Sequence, residues 1–242
     1  MNEYRWEKIN ISRRLELLAE FLPPVDTVCD IGADHAWLLI RLVQKDKVRR
    51  GIGVEITAGP YRRAQKNIQD HGLNDRLEVR LGDGLGPIRP GEAQGAVIAG
   101  MGGGTISGIL ERSPQVTAKL EYFLLQPMNQ PDLVRKSLQR LGFGIIREAM
   151  IEERQILYPV ILATPGGMPP LSPQEARFGP LLMKSRPPEL LVEIRRQLEA
   201  WHRVEKGLAR SGLAASRKKE AVIREKIREL EELIQCLYPA EE

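Results

Sequence analysis

Cysteine is scarce. Cys29 and Cys236 are the only two in 242 residues and show no metal-ligand spacing. A disulfide framework and a zinc module are therefore not indicated, and a reducing, cytoplasmic setting is expected. The three histidines, His35, His71 and His202, are scattered and form no cluster with cysteines or carboxylates that would propose a metal. No apolar run approaches the roughly 20 residues of a membrane span, and Met1-Asn2-Glu3-Tyr4-Arg5-Trp6 has no apolar signal region, so a soluble chain without a membrane partner is expected. Large net charge is missing too. A balance of +4 and a pI near 9.1 permit a nucleic-acid partner without requiring one. The length suits one substantial domain plus an appendage, at about 150 residues per domain.

Against these absences stands Thr27-Val28-Cys29-Asp30-Ile31-Gly32-Ala33-Asp34-His35-Ala36, an apolar strand that ends in an acid and a glycine before a helix begins. Glycine there lets the backbone turn tightly and approach a ligand, and the helix N-terminus presents free N–H groups. The third glycine of the dinucleotide pattern is missing, because Ala36 holds its place, which disfavours a nicotinamide dehydrogenase. Two further acids close strands: Glu55 after Gly51-Ile52-Gly53-Val54, and Asp83 after Leu77-Glu78-Val79-Arg80-Leu81-Gly82. Three consecutive strands finishing on carboxylates point to the S-adenosylmethionine (SAM) site of a Rossmann-type methyltransferase.

The rest of the chain continues that rhythm. Ser12 caps a helix that runs to Phe21, with Arg13 and Arg14 on its first turn and Pro23-Pro24 stopping it. Gly59-Pro60 opens a helix that Gly72 ends, and Gly95 to Ala99 makes a fourth strand running into Gly100-Met101-Gly102-Gly103-Gly104. A fifth strand spans Tyr122 to Leu125, a helix spans Asp132 to Leu141, and Gly144 to Met150 and Ile156 to Ala163 form an antiparallel pair. The predicted fold is α/β, Rossmann-like, with a seven-stranded sheet over residues 1–165. Thr164-Pro165-Gly166-Gly167 and the following Met168-Pro169-Pro170 mark a boundary.

Beyond it, residues 171–242 read as a helical hairpin resembling a short coiled coil. One apolar seam runs through Leu191, Ile194, Leu198, Trp201, Val204 and Leu208, and a second through Ile223, Ile227, Leu230, Ile234 and Leu237, with Ser211-Gly212 as the break. The seams are expected to pack on each other, which predicts a monomer; dimerisation through them is the alternative. Residues 177–219 hold eleven Lys and Arg against four Glu, a net +7, while residues 220–242 are net −4. The candidate RNA-binding cations are Arg13, Arg14, Arg195, Arg196, Arg203, Arg210, Arg217, Lys218 and Lys219.

Asp30 and Gly32 would fix the turn that receives the methionine end of SAM. Glu55, 23 residues past that glycine, stands near the spacing at which an acid accepts both ribose hydroxyls. Asp83 would face the adenine amine, with Gly84 leaving room for the ring. Asp34 is either a helix cap or a cofactor contact, and His35 is either a general base or a packing residue at the helix start. Gly100 and Met101 would lie beside the reacting groups. With Asp34 and His35 they complete the candidate catalytic set.

The chain resembles the bacterial tRNA adenine-N1 methyltransferases that modify position 22 in the D arm. The likeness rests on Asp30-Ile31-Gly32-Ala33-Asp34-His35-Ala36, Gly59-Pro60-Tyr61, Arg80-Leu81-Gly82-Asp83-Gly84-Leu85, Ala99-Gly100-Met101-Gly102-Gly103 and Leu125-Gln126-Pro127, in that order. It implies SAM as methyl donor, tRNA as substrate and a helical arm that helps to hold the RNA. The chain departs from the pattern at Met128, where asparagine is expected; Asn129 follows one place later. A non-catalytic SAM sensor, or a methyltransferase for another substrate, is the competing reading.

Overall fold

The computed structural model describes residues 9–211 and 216–239, with side chains throughout except at residues 209–218. Among the described residues one seven-stranded sheet has the order β3-β2-β1-β4-β5-β7-β6. Its strands are β1 (Val25–Ile31), β2 (Val48–Glu55), β3 (Leu77–Leu81), β4 (Gly95–Met101), β5 (Tyr122–Pro127), β6 (Phe143–Glu153) and β7 (Ile156–Pro165). The first five are parallel, and β7 runs antiparallel to both β5 and β6.

Successive residues of each strand point to opposite faces, so a strand buried on both sides feeds two cores. Val97 and Leu124 pack with α1 (Arg13–Phe21), α2 (Trp37–Gln44) and α3 (Ala58–Asp70) on one face. Their neighbours Ile98 and Leu125 pack with α4 (Gly103–Arg112) and α6 (Pro131–Arg140) on the other. The Ser12 hydroxyl accepts the Leu15 amide at 3.3 Å and opens α1 as expected. Within the sheet region two helices were not anticipated: α4, which begins on two glycines, and the short α5 (Pro114–Thr117). Ile106, Ile109 and Leu110 are buried, and that packing holds α4 where its propensity is poor.

The chain forms two compact units, one up to Leu181 and one from Leu182. Residues 166–181 therefore go with the sheet, not with the hairpin expected from residue 171. Their anchor is Arg135 of α6, 1% exposed and 2.8 Å from Glu148 of β6, whose side chain is fully buried. Its guanidinium also donates to the carbonyls of Ala176 and Arg177, at 2.9 and 3.1 Å, both in α7 (Pro173–Phe178). Glu148 in turn accepts the Leu181 amide at the start of α8 (Pro180–Ser185).

In the second unit α9 (Pro188–Ser211) packs against α10 (Ser216–Leu237). Leu190, Ile194, Ile223, Ile227, Leu230, Leu233 and Leu237 are buried. Three expected seam positions differ, the first at the start of α9, where Leu190 is buried and Leu191 only half-buried. Val204 is exposed, and Leu233 is buried where Ile234 was expected, because steps of three and then four from Leu230 stay on the inward stripe. Tyr238 closes the open end by donating its hydroxyl to the Pro187 carbonyl at 2.8 Å. The expected break at Gly212 lies outside the described residues.

Candidate active site

The sheet order reverses between β1 and β4, and ligands of open α/β sheets bind at the carboxyl ends of strands flanking such a reversal. A cavity of about 240 Å³ opens there, lined by Asp30 of β1, by Gly32, Ala33, Asp34 and His35 after it, by Ala99 and Gly100 of β4, and by Trp37 and Leu38 of α2. Arg14 and Leu15 of α1 complete it.

The turn after β1 is tight. Gly32 adopts φ +78°, a conformation that favours glycine, and a Cβ there would have to displace the flexible Met101 terminal methyl. Its amide donates to the Val54 carbonyl at 2.8 Å, tying the turn to β2. Asp34 and Ala36 follow with φ of 48° and 57°, an uncommon conformation for residues with side chains. Asp34 is not a helix cap. Ala36 takes that position without a side-chain hydrogen bond. The Asp34 amide donates to the Glu55 carboxylate, and its own carboxylate pairs with Arg63 of α3 at 3.0 Å. His35 Nε2 lies 3.5 Å from Asp34 Oδ2, and its ring stacks nearly parallel to Trp37.

Glu55 is buried at the end of β2, two residues past Gly53, the partner of Asp30 on β1. Burial pushes the Asp30 carboxyl up to about 7, and the neighbouring Glu55 charge adds to the rise. Burial also raises Glu55, opposed by the Asp34 N–H. Beside Glu55, Ile56 is 66% exposed, an apolar face at the strand tip that the sequence did not single out. The Gly82 amide donates to the Glu55 carbonyl at 2.8 Å, so the tip of β3 adjoins that of β2. Asp83 lies just beyond and outside the cavity lining; its exposed carboxylate meets Arg112 at 3.4 Å. Gly84, at φ +56°, lies against Ile109.

On the other side of the reversal the β4–β5 register shifts between Ala99 and Met101, and Gly100 sits in that irregularity at φ +74°. Its amide donates at 3.1 Å to the side chain of Gln126, which is fully buried at the end of β5. The same Gln126 oxygen accepts from Arg14 Nη1 at 2.8 Å. Sequence reasoning gave neither contact. Arg14, read as an RNA-facing cation, instead points into the cavity, whereas Arg13 is exposed. The signal was available, since Arg14, Leu18 and Leu22 stand four apart and the last two are fully buried. Asn129, one place later than expected, accepts the Gly103 amide at 3.1 Å and so helps to start α4; Met128 is exposed.

Of the remaining cations, Arg195, Arg196 and Arg203 are exposed on α9, Arg196 pairing with Glu193 at 3.0 Å, and Lys219 is exposed on α10. The side chains of Arg210, Arg217 and Lys218 lie outside the described residues. Among the described residues no group of three His, Cys, Asp or Glu could hold a metal, and no helix is long and apolar enough to cross a membrane.

Residues 28–232 match the model of the tRNA (adenine(22)-N(1))-methyltransferase family, TrmK. The chain belongs to this family. It is 37% identical over 159 residues to the tRNA (adenine(22)-N(1))-methyltransferase of Bacillus subtilis, covering 66% of this chain and 67% of that one. The crystal structure of the B. subtilis m1A22 tRNA methyltransferase TrmK superposes with a TM-score of 0.85 at 30% identity, covering 94% of this chain and all of the other. Streptococcus pneumoniae Sp1610 in complex with SAM gives a TM-score of 0.80 at 34% identity, covering 93% of this chain and all of that one. As a TrmK-family chain, this protein is a SAM-dependent RNA methyltransferase of Rossmann-like fold.

Proposed function

We propose that the protein transfers the methyl group of SAM to N1 of adenine 22 in the D arm of tRNA, in the cytoplasm and as a monomer. The observation that carries this reading is the line of strand tips running from Gly100 through Asp30 and Gly32 to Glu55 and Asp83, all in one compact unit of a family member. The residues fit the cofactor. Glu55 has one oxygen taken by the Asp34 amide and, among the described residues, no hydrogen bond to the other, which suits the ribose diol. Ile56 offers an apolar face to the adenine, Asp83 and Gly84 border it, and Asp30, Gly32, Asp34 and His35 surround the methionine end.

Bound SAM supplies an electrophilic sulfonium methyl. Adenine N1 already presents a lone pair, so the protein's task is alignment more than deprotonation, and positioning alone can lower such a barrier by several kcal/mol. No dedicated base is required of Asp34 or His35. The irregularity at Gly100 removes side-chain bulk beside the cavity, and Met101 packs against Gly32 as an apolar wall. In a paired arm N1 is engaged, so the target nucleotide must leave its stack, at a cost of a few kcal/mol that contacts elsewhere offset.

Arg13 on α1 and Arg195, Arg196, Arg203, Arg210, Arg217, Lys218 and Lys219 on the hairpin would supply phosphate contacts. The two seams of α9 and α10 bury each other within one chain, which supports the monomer. Incubation of unmodified tRNA with methyl-labelled SAM tests the proposal. Label should enter tRNA bearing adenine at position 22 and not the same tRNA bearing guanine there. Equal incorporation into both would refute it.

A further inference from the structure

The last pair between β5 and β7 joins Leu125 to Ile161, yet β6 and β7 stay paired out to Glu153 and Ile156. The β-hairpin they form therefore outruns β5 at the carboxyl edge of the sheet, and at about 3.3 Å per residue its tip stands roughly 13 Å beyond Pro127. That edge carries the cavity. The turn is made by Arg154 and Gln155, with φ of 53° and 63°. Positive φ at both positions matches the twist of the flanking strands, and asparagine followed by glycine meets that demand at least cost. Two long polar side chains stand there instead, both exposed. Local stability is given up to project them. We propose that this tip docks the RNA strand beside the target nucleotide, with Arg154 on a phosphate, an inference that rests on the tRNA reading above.

The tip is braced. Ile151 and Tyr158 are buried in the core that holds Leu18 of α1, and Glu153 accepts from Arg14 Nε at 3.2 Å. Arg14 lines the cavity, so the brace joins the tip to the cavity wall. It also neutralises Glu153, while Glu152 belongs to the opposite face of the β-hairpin because successive strand residues alternate. Arg154 is left as the open charge. Among the described residues no hydrogen bond or ion pair engages it, whereas Arg63, Arg80, Arg112 and Arg140 of the same unit each meet a carboxylate. The exposed Arg13 begins α1, the helix behind the brace, and adds a second cation on that side. A guanidinium fork suits phosphate oxygens, and a tip already held in place loses little further entropy on binding.

A second copy of the chain, pairing along the edge strand β6, is the other occupant that could meet the tip. The unpaired charge and its place at the catalytic edge favour RNA.

Fluorescence anisotropy of unmodified tRNA with the full-length chain, over a salt series, tests the inference. Arg154→Asn combined with Gln155→Gly should melt at or above the wild-type temperature, because the turn becomes easier to form, and should bind S-adenosylhomocysteine as before. Its tRNA affinity should fall about 3- to 10-fold and its salt slope by about one, as loss of one phosphate contact implies. Arg154→Gln alone should reproduce that loss, and Arg154→Lys should restore most of it. Unchanged tRNA affinity and salt slope in Arg154→Gln would overturn the inference. So would equal loss of tRNA and S-adenosylhomocysteine binding, the mark of a merely structural residue, or a changed oligomeric state with tRNA binding intact, which would assign the tip to a second copy. Failure of the wild type to bind tRNA would instead overturn the tRNA reading itself.

Discussion

Replacing Glu55 with glutamine isolates the ribose contact from the fold of the turn. The carboxylate has about four lone-pair sites, and one oxygen already accepts the Asp34 amide. In Glu55→Gln that oxygen can keep the amide and one ribose hydroxyl, but the new NH2 group cannot accept the second. One charge-assisted hydrogen bond is lost, worth about 1.5–3 kcal/mol. The dissociation constant for S-adenosylhomocysteine should therefore rise about 10- to 150-fold. Stability of the cofactor-free protein should change little, because the Asp34 bond survives and burial had already disfavoured the charge. Calorimetry with the 2′-deoxy analogue supplies the control: the wild type should lose affinity for it, and the variant should lose much less. An unchanged constant, or the same penalty for the deoxy analogue in both proteins, would refute the reasoning.

Three further outcomes follow from the geometry. The buried Asp30 holds a proton to about pH 7 in the folded chain but only to about 3.8 when unfolded, so its stabilising protonation is complete below about pH 4 and lost as pH rises through 7. Asp30→Asn should gain about 4 kcal/mol on the wild type between pH 4 and pH 8 in urea unfolding of the cofactor-free protein; parallel pH profiles would contradict this. Arg135→Met leaves Glu148 buried without its cation and should cost about 3–5 kcal/mol, partly recovered by adding Glu148→Gln, as read from thermal melts. Combined Arg195→Glu and Arg203→Glu should weaken tRNA binding and flatten its salt dependence while leaving S-adenosylhomocysteine affinity intact; an unchanged salt slope would remove the hairpin from the RNA contact.

Much of the sheet was legible because the central strands are apolar stretches stopped by an acid, glycine or proline. Asp30 and Glu55 stand near the ends of their strands, and the register of β1 on β2 pairs Asp30 with Gly53, which puts Glu55 diagonally beyond it on the same face. What stayed hidden was decided by partners distant in sequence. Arg14 reads as half of an arginine pair until α1 packs beside β6 and meets Glu153. Arg135 and Glu148 have nothing local to mark them as buried. The helix α4 opens on Gly103-Gly104, against propensity, and forms because Ile106, Ile109 and Leu110 fill a core. The start of α7 was readable in principle, since Ser172-Pro173-Gln174-Glu175 carries a capping box that the structure makes in full. Asp34 shows the limit of local rules: its place before a helix suggests a cap, yet its backbone serves Glu55 and its side chain serves Arg63.

The most direct test of the account is the chemical identity of the product. Unmodified tRNA should be incubated with the protein and SAM, digested without alkaline treatment, and its nucleosides resolved by mass spectrometry against standards. Chemistry that relies on alignment of a ready lone pair predicts N1-methyladenosine, absent when position 22 is guanine. N6-methyladenosine or 2′-O-methylated nucleosides as the only products would contradict it.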